Sequence, residues 1–152
     1  MAYLTRAEAV ARRPDSLPGH IYQGDLFESL TLMVPLEDGT WADKLWDVLV
    51  VSHDCEYTKI AEKPSKPLLV APVRKMVDYS QRDAIVAGEA YGLWALPQEA
   101  PVDDEYVADF RLIQPIAVRQ LQEAKHWACL DDELRIELAV RIEQFLFRGR
   151  LA

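Results

Sequence analysis

Leu26-Phe27-Glu28-Ser29-Leu30-Thr31-Leu32-Met33-Val34, then Glu37-Asp38-Gly39-Thr40, then Leu45 through Val51, is the stretch that decides the fold class. Two short strand-like runs flank an Asp-Gly step, which reads as a hairpin or a wider turn. Downstream, Lys59 to Pro67 is polar, carries two prolines and has no apolar period, so it reads as a loop. Leu68 to Val73 reads as the next strand. Ala84-Ile85-Val86-Ala87 and Ala90 to Leu96, the latter broken at Pro97, also read as strands, as does Tyr106 to Ile113. Between them, Glu99 to Glu105 is acidic, contains Pro101 and no base, and reads as a solvated loop. Upstream, an amphipathic stretch from Arg6 to Arg12 and a breaker cluster from Pro14 to Gly19 suggest an arm over residues 1–23.

The end of the chain has a different period. Leu134, Leu138, Ile142, Phe145 and Leu146 recur at three- and four-residue steps, opposite Glu133, Glu137 and Glu143. This predicts a helix from about Asp132 to Phe147, capped by Asp131 or Asp132. Five or six short strands followed by one amphipathic helix imply an α+β, mostly β fold: a small, strongly bent antiparallel sheet closed against that helix. With 152 residues, half of them hydrophobic, the expectation is a single domain over residues 24–152. No internal repeat, Gly-rich phosphate loop or zinc-ribbon spacing is present.

Charge and cysteine content narrow the functional classes. Seventeen bases against 25 acids give −8, which opposes nonspecific attraction to phosphate backbones and anionic membranes. From Lys44 to Arg82 the balance reverses only to about +2, counting seven bases against five acids. No apolar run approaches the roughly 20 residues of a membrane span, and Met1 to Arg6 does not open a signal peptide. A cytoplasmic protein without membrane association is expected. Cys55 and Cys129 are too few for a disulfide scaffold.

Four landmarks resemble the MazF/PemK/Kid-like toxins in order and spacing. They are Gly24-Asp25-Leu26-Phe27, Trp46 to Ser52, Leu69-Val70-Ala71-Pro72-Val73, and Phe110 to Leu121 followed by Leu130-Asp131-Asp132-Glu133. The resemblance spans about residues 24–147. It implies an SH3-like barrel with a C-terminal helix, a bacterial or phage origin in a toxin–antitoxin setting, and a metal-independent endoribonuclease acting on single-stranded RNA without a cofactor. It also implies a homodimer and an antitoxin or other protein partner. The toxins place an arginine after the first strand and a threonine after Ala-Pro-Ile, whereas this chain has Lys44 in the loop from Pro35 to Asp47 and Arg74 after Val73. Fold is thus carried over more readily than activity.

The densest polar cluster, Ser52-His53-Asp54-Cys55-Glu56, follows the most hydrophobic strand. Strand ends orient accessible side chains on a rigid scaffold. Read as catalytic, His53 moves a proton near neutral pH, Asp54 or Glu56 orients it, and Arg74 stabilises a phosphorane. Read as a metal site, His53 and Cys55 join His126 and Cys129 in a set that tetrahedral zinc accepts, although neither spacing is that of a zinc knuckle. Cys55 acting as a nucleophile with His126 as its base has no sequence sign of a lowered thiol pKa. Read structurally, Ser52 and Asp54 bond the following turn and the cysteines are small buried groups. Among the tryptophans, Trp46 and Trp94 sit in apolar runs and read as core, Trp127 is a possible stacking platform, and Trp41 reads as an exposed contact. Trp41 together with the tract Glu99 to Asp109 is the expected surface for a symmetric or foreign partner. His20 reads as surface or turn. The rival to a ribonuclease is a noncatalytic protein–protein interaction module that retains the barrel.

Overall fold

Successive side chains of a strand point to opposite faces of its sheet, and here both faces find apolar cover. The computed structural model describes residues 1–13, 19–52 and 67–151, with side chains through 147. Within them run eight strands: β1 (Tyr3–Leu4), β2 (Asp25–Pro35), β3 (Trp41–Val50), β4 (Pro67–Lys75), β5 (Leu93–Ala95), β6 (Tyr106–Asp109), β7 (Gln114–Ala117) and β8 (Lys125–Leu130). Four helices accompany them: α1 (Arg6–Ala11), α2 (Arg82–Val86), α3 (Val118–Glu123) and α4 (Asp132–Leu151). The fold is α+β, mostly β. All strand pairings are antiparallel, in the order β1-β8-β2-β3-β4-β6-β5, and the ladder does not close. β7 pairs with the first half of β4 on the edge that β6 uses further along.

The alternation divides the core in two. Leu26, Leu49, Ala71, Val73, Ala108, Ala128 and Leu130 form one face and pack with Trp94, Phe110 and Leu138 of α4. Phe27, Leu30, Leu32, Val34, Val48, Val50, Leu68, Val70 and Ile116 form the other, joined by Val118 and Leu121 of α3 and by Ile21. The expected helix is present: Asp131 Oδ1 accepts from Leu134 N–H at 2.9 Å as its cap. Leu138 is fully buried, and Leu134, Ile142 and Phe145 pack at the edge of the first core. Leu146 departs from the expected stripe and is exposed. It follows Phe145 directly, so the roughly 100° turn per residue carries it off the packed face. Among the described residues no helix is long and apolar enough to cross a membrane.

Contacts between distant strands show how far the sheet curls. In a flat sheet β6 and β8, four ladder steps apart, would lie roughly 19 Å from each other. The Tyr106 and Trp127 rings on those strands meet edge to face at 4.9 Å between centroids. At another corner the Gln114 side chain at the head of β7 reaches the free edge of β2. Its Oε1 accepts from Met33 N–H at 2.9 Å, and its Nε2 donates to Met33 O at 3.1 Å. One amide side chain thus supplies the pair of bonds that a neighbouring strand would make. Within β2, two residues, Glu28 and Ser29, oppose one on β3, and Ser29 takes the left-handed conformation at φ 58°. Such a bulge sharpens local twist.

Several expectations are corrected. Ala84 to Ala87 is not a strand: Arg82–Val86 is helical, buries Ile85 alone, and carries Asp83 in its first turn, where a carboxylate suits the helix dipole. The strand expected over Ala90 to Leu96 is confined to Leu93–Ala95. The strand expected to Ile113 stops at Asp109, whose carboxylate accepts from Arg111 N–H and turns the chain into one 3-10 turn. Lys44 lies within β3 and not in a loop, because β3 extends out to Trp41. His20 is buried and stacks on Tyr22. The N-terminal residues pack on the sheet: β1 pairs with β8, and Ala9 of α1 is buried with Leu4, Tyr22 and Cys129.

Gln114→Ala removes both bonds to Met33 and leaves the β2 edge to water. It is expected to lower unfolding free energy by about 1–3 kcal/mol in urea denaturation. Leu138→Ala should cost about 2–5 kcal/mol and Ile136→Ala, on the exposed side of the same helix, less than about 0.5.

Candidate functional site

His53, Asp54, Cys55 and Glu56 lie outside the described residues. Their neighbour Ser52 is placed: its Oγ accepts from Leu69 N–H at 2.6 Å, fixing where β3 ends beside β4. Arg74 stands five residues further along β4, roughly 17 Å away at strand rise. The described flank of the polar cluster therefore leaves the sheet at the end opposite Arg74.

Arg74 is held on three sides. Its guanidinium lies 4.2 Å from the Trp46 ring centroid, 5.8 Å from that of Tyr79, and 3.4 Å from the Asp78 carboxylate. Alternation causes this: Trp46 and Arg74 project from neighbouring strands on one face, and the turn after β4 brings Tyr79 back over them. Stacking on a ring fixes a cation's position while leaving some of its N–H groups available. The contacts continue inward. Tyr79 OH donates to Asp109 Oδ2 at 3.3 Å, and Arg111 grips the same carboxylate with Nε at 2.9 Å and Nη2 at 2.8 Å. Burial, then the Asp109 carboxylate, pushes the Tyr79 phenol up to about 12. Tyr79 is consequently a hydrogen-bond donor at neutral pH and not a base. Arg74 can contact an anion through the N–H groups that the rings and Asp78 leave open, while the Tyr79 hydroxyl proton is spent on Asp109.

The two described members of the alternative zinc set have other partners. His126 Nε2 donates to Asp25 Oδ1 at 3.0 Å, and its ring meets Phe27 edge to face. Cys129 is fully buried with Leu4, Ala9 and Tyr22. Among the described residues no group of three or more His, Cys, Asp or Glu side chains is placed to hold a metal ion.

Asp25 is the functional-looking residue that reading the sequence as a series of motifs misses. It is fully buried and accepts from Tyr22 N–H at 2.7 Å, Arg6 Nη1 at 3.2 Å and His126 Nε2 at 3.0 Å. Arg6 also donates to the His20 carbonyl. His126 follows Asp25 by 101 positions, so no local spacing signals the pair. The position of Gly24 is the available clue. Its φ of +95° and its approach to Leu130 and Arg135, where a Cβ would sit 3.2 and 3.1 Å from their side chains, mark a crowded crossing. The arrangement binds three chain segments together and leaves Asp25 shielded from solvent, which suits structure more than catalysis.

Two surface features remain. On the β2–β3 hairpin, register places Met33 opposite Asp43, Thr31 opposite Leu45 and Pro35 opposite Trp41. Leu32 and Val34 point inward, so Met33, Trp41 and Leu45 share the outward face, at 47, 58 and 69% exposure. The exposure expected of Trp41 is thus present, with Met33 diagonal to it across the hairpin and Leu45 beyond Asp43 on the same strand. Trp94 is core as expected, and Trp46 packs against the second core. A concavity of about 800 Å³ lies between α4 and the turn before β5, lined by Tyr91, Phe110, Val140, Arg141, Phe145 and Phe147 among others.

No protein-family model matches the chain, and no curated protein matches it.

Removing the buried Asp25 carboxylate strands Arg6 and His126. Asp25→Ala should cost about 2–4 kcal/mol, less than a fully buried pair because Arg6 is partly solvated, as read by thermal or urea unfolding. At high pH the Tyr79 phenol provides a second check. The native state keeps it neutral above its ordinary 10.0, so its contribution is whole below pH 10 and is lost as pH rises through about 12. Tyr79→Phe should remove one ionisation near pH 12 from an ultraviolet absorbance titration and flatten the loss of stability over that range.

Proposed function

We propose that this chain is a MazF/PemK-like, SH3-like barrel altered at the toxins' catalytic positions, and that it works as a noncatalytic protein–protein interaction module. The observation that carries the reading is the outward face of the β2–β3 hairpin, where Met33, Trp41 and Leu45 are all exposed around Asp43. Exposed apolar side chains on one face with a tryptophan among them suit a binding surface, since tryptophan anchors are enriched where interfaces draw their energy. The barrel assignment draws support from the curl of the sheet and from Gln114 spanning β7 to β2. Net charge of −8 further favours a protein partner over nucleic acid.

A ribonuclease of the toxin type is the second reading, favoured by Arg74. Where the toxins carry threonine this chain has a cation fixed by Trp46 and Tyr79, the kind of group that stabilises charge on a phosphorane. On that reading His53 would supply the proton transfer, with Asp54 or Glu56 orienting it.

Incubation of the purified full chain with single-stranded RNA, with and without chelator, separates the two. The interaction module leaves the RNA intact under both conditions. Cleavage that survives chelator and falls roughly 100-fold or more in Arg74→Ala and in His53→Ala would overturn the module and establish the enzyme.

A further inference from the structure

The hairpin face has a charge pattern as well as an apolar one. Between Thr31 and Asp47 the chain carries four carboxylates, Glu37, Asp38, Asp43 and Asp47, and one ammonium, Lys44. Asp43 lies between Trp41 and Leu45 in the alternation and shares their face, whereas Lys44 is paired in register with Leu32 on the other side. Glu37 and Asp38 form the tip. Asp38 accepts from Thr40 N–H at 2.9 Å and Thr40 Oγ1 at 2.6 Å, which ties its carboxylate to the turn. The result is a face on which three apolar side chains surround one carboxylate, Asp43, with two more carboxylates at the tip, so apolar and acidic groups alternate within reach of a single bound segment.

Edge and face are not equally open. Met33 presents its N–H and C=O away from β3, where an added strand would pair, and Gln114 already occupies both. A partner is therefore directed to side chains on the face. A second copy of this chain docked on Met33, Trp41 and Leu45 around a two-fold axis would bring Asp43, at the middle of the face, close to the same residue of the other copy. Like charges at close quarters oppose that contact.

We propose that the outward face of the β2–β3 hairpin docks a basic segment of another protein, one that sets apolar side chains on Met33, Trp41 and Leu45 and lysine or arginine against Glu37, Asp38 and Asp43. The proposal rests on the reading of the chain as an interaction module and names its partner's chemistry. Three large side chains make a patch smaller than the roughly 800 Å² per partner of a standard interface, so the complex is transient and salt-sensitive.

The test uses the full chain and three blocked nine-residue peptides that alternate leucine and phenylalanine with lysine, glutamate or glutamine, titrated by calorimetry. The lysine peptide is expected to bind, the glutamate peptide not, and the glutamine peptide at least 5-fold more weakly than the lysine one. Trp41→Ala and Leu45→Ala leave net charge unchanged, so they separate this face from general attraction to an acidic protein. Each should weaken binding about 10-fold, while Tyr91→Ala, in the concavity beside α4, should leave it unaltered. Equal binding of the lysine and glutamine peptides, lost in Trp41→Ala, would overturn the basic partner and keep the module. Lysine-peptide binding unaffected by Trp41→Ala would overturn the face, as would failure of the lysine peptide to bind. Self-association in sedimentation that Trp41→Ala abolishes would replace the basic partner with a second copy. RNA cleavage by the same preparation would instead remove the module reading itself.

Discussion

A carboxylate with no exposed surface needs donors on every side, and Asp25 recruits them from three parts of the chain. The Tyr22 amide comes from the segment entering β2, Arg6 from α1, and His126 from β8. Arg6 precedes Asp25 by 19 positions and His126 follows it by 101. Their assembly around Asp25 fixes the point at which β2 crosses between β3 and β8, and Gly24 makes that crossing possible by joining both. Its N–H donates to Val50 O at 2.9 Å and its carbonyl accepts from Leu130 N–H at 3.0 Å. A Cβ here would crowd Leu130 at 3.2 Å and be strained at φ +95°, so the left-handed glycine and the buried acid form one local solution to one crowding problem.

From that crossing the sheet builds outward on two faces with different demands. The face under α4 accepts small residues, Ala71, Ala108 and Ala128, because a long helix must approach it closely. The opposite face is filled by branched residues, Leu30, Leu32, Val34, Val48, Val50 and Val70, because α3 is short and covers little. The curl of the sheet follows from needing apolar cover on the side where helical cover runs out. Gln114 then occupies the remaining β2 edge with a side chain in place of a strand.

What could be read from the sequence divides along physical lines. The helix from Asp132 was legible because its apolar residues recur with one period over three turns, and the central strands because their runs are continuous. The short elements were not. Arg82–Val86 holds too few residues to show a period, and its single buried residue, Ile85, is β-branched and so points toward a strand. Asp109 ended a strand through a side-chain bond that composition does not reveal. At the candidate site, Arg74 was singled out by its position after Val73, but Tyr79, Asp109 and Arg111 join it only through the turn that follows β4. The Asp25–His126 pair was invisible for a related reason: a contact across 101 residues leaves no mark on either neighbourhood. The polar cluster His53 to Glu56 falls outside the described residues and adds nothing to this comparison.

The bulge at Glu28 and Ser29 bears on how this chain can change length. A left-handed serine costs roughly 1–3 kcal/mol, and the Asp47 carboxylate, which accepts from Ser29 N–H at 3.1 Å, offsets part of that. Because Glu28 and Ser29 share one position opposite β3, Phe27 and Leu30 face the same core although they are three residues apart. Deleting one of the two would restore plain alternation and keep Leu30, Leu32 and Val34 inward. Deleting both would turn Leu32 and Val34 to solvent and Met33 toward the interior, exchanging the two faces of the hairpin in a single step. A single residue can therefore be lost at the bulge without changing which face is buried, as it can in the turn from Glu37 to Thr40, which lies beyond the last paired residues Pro35 and Trp41.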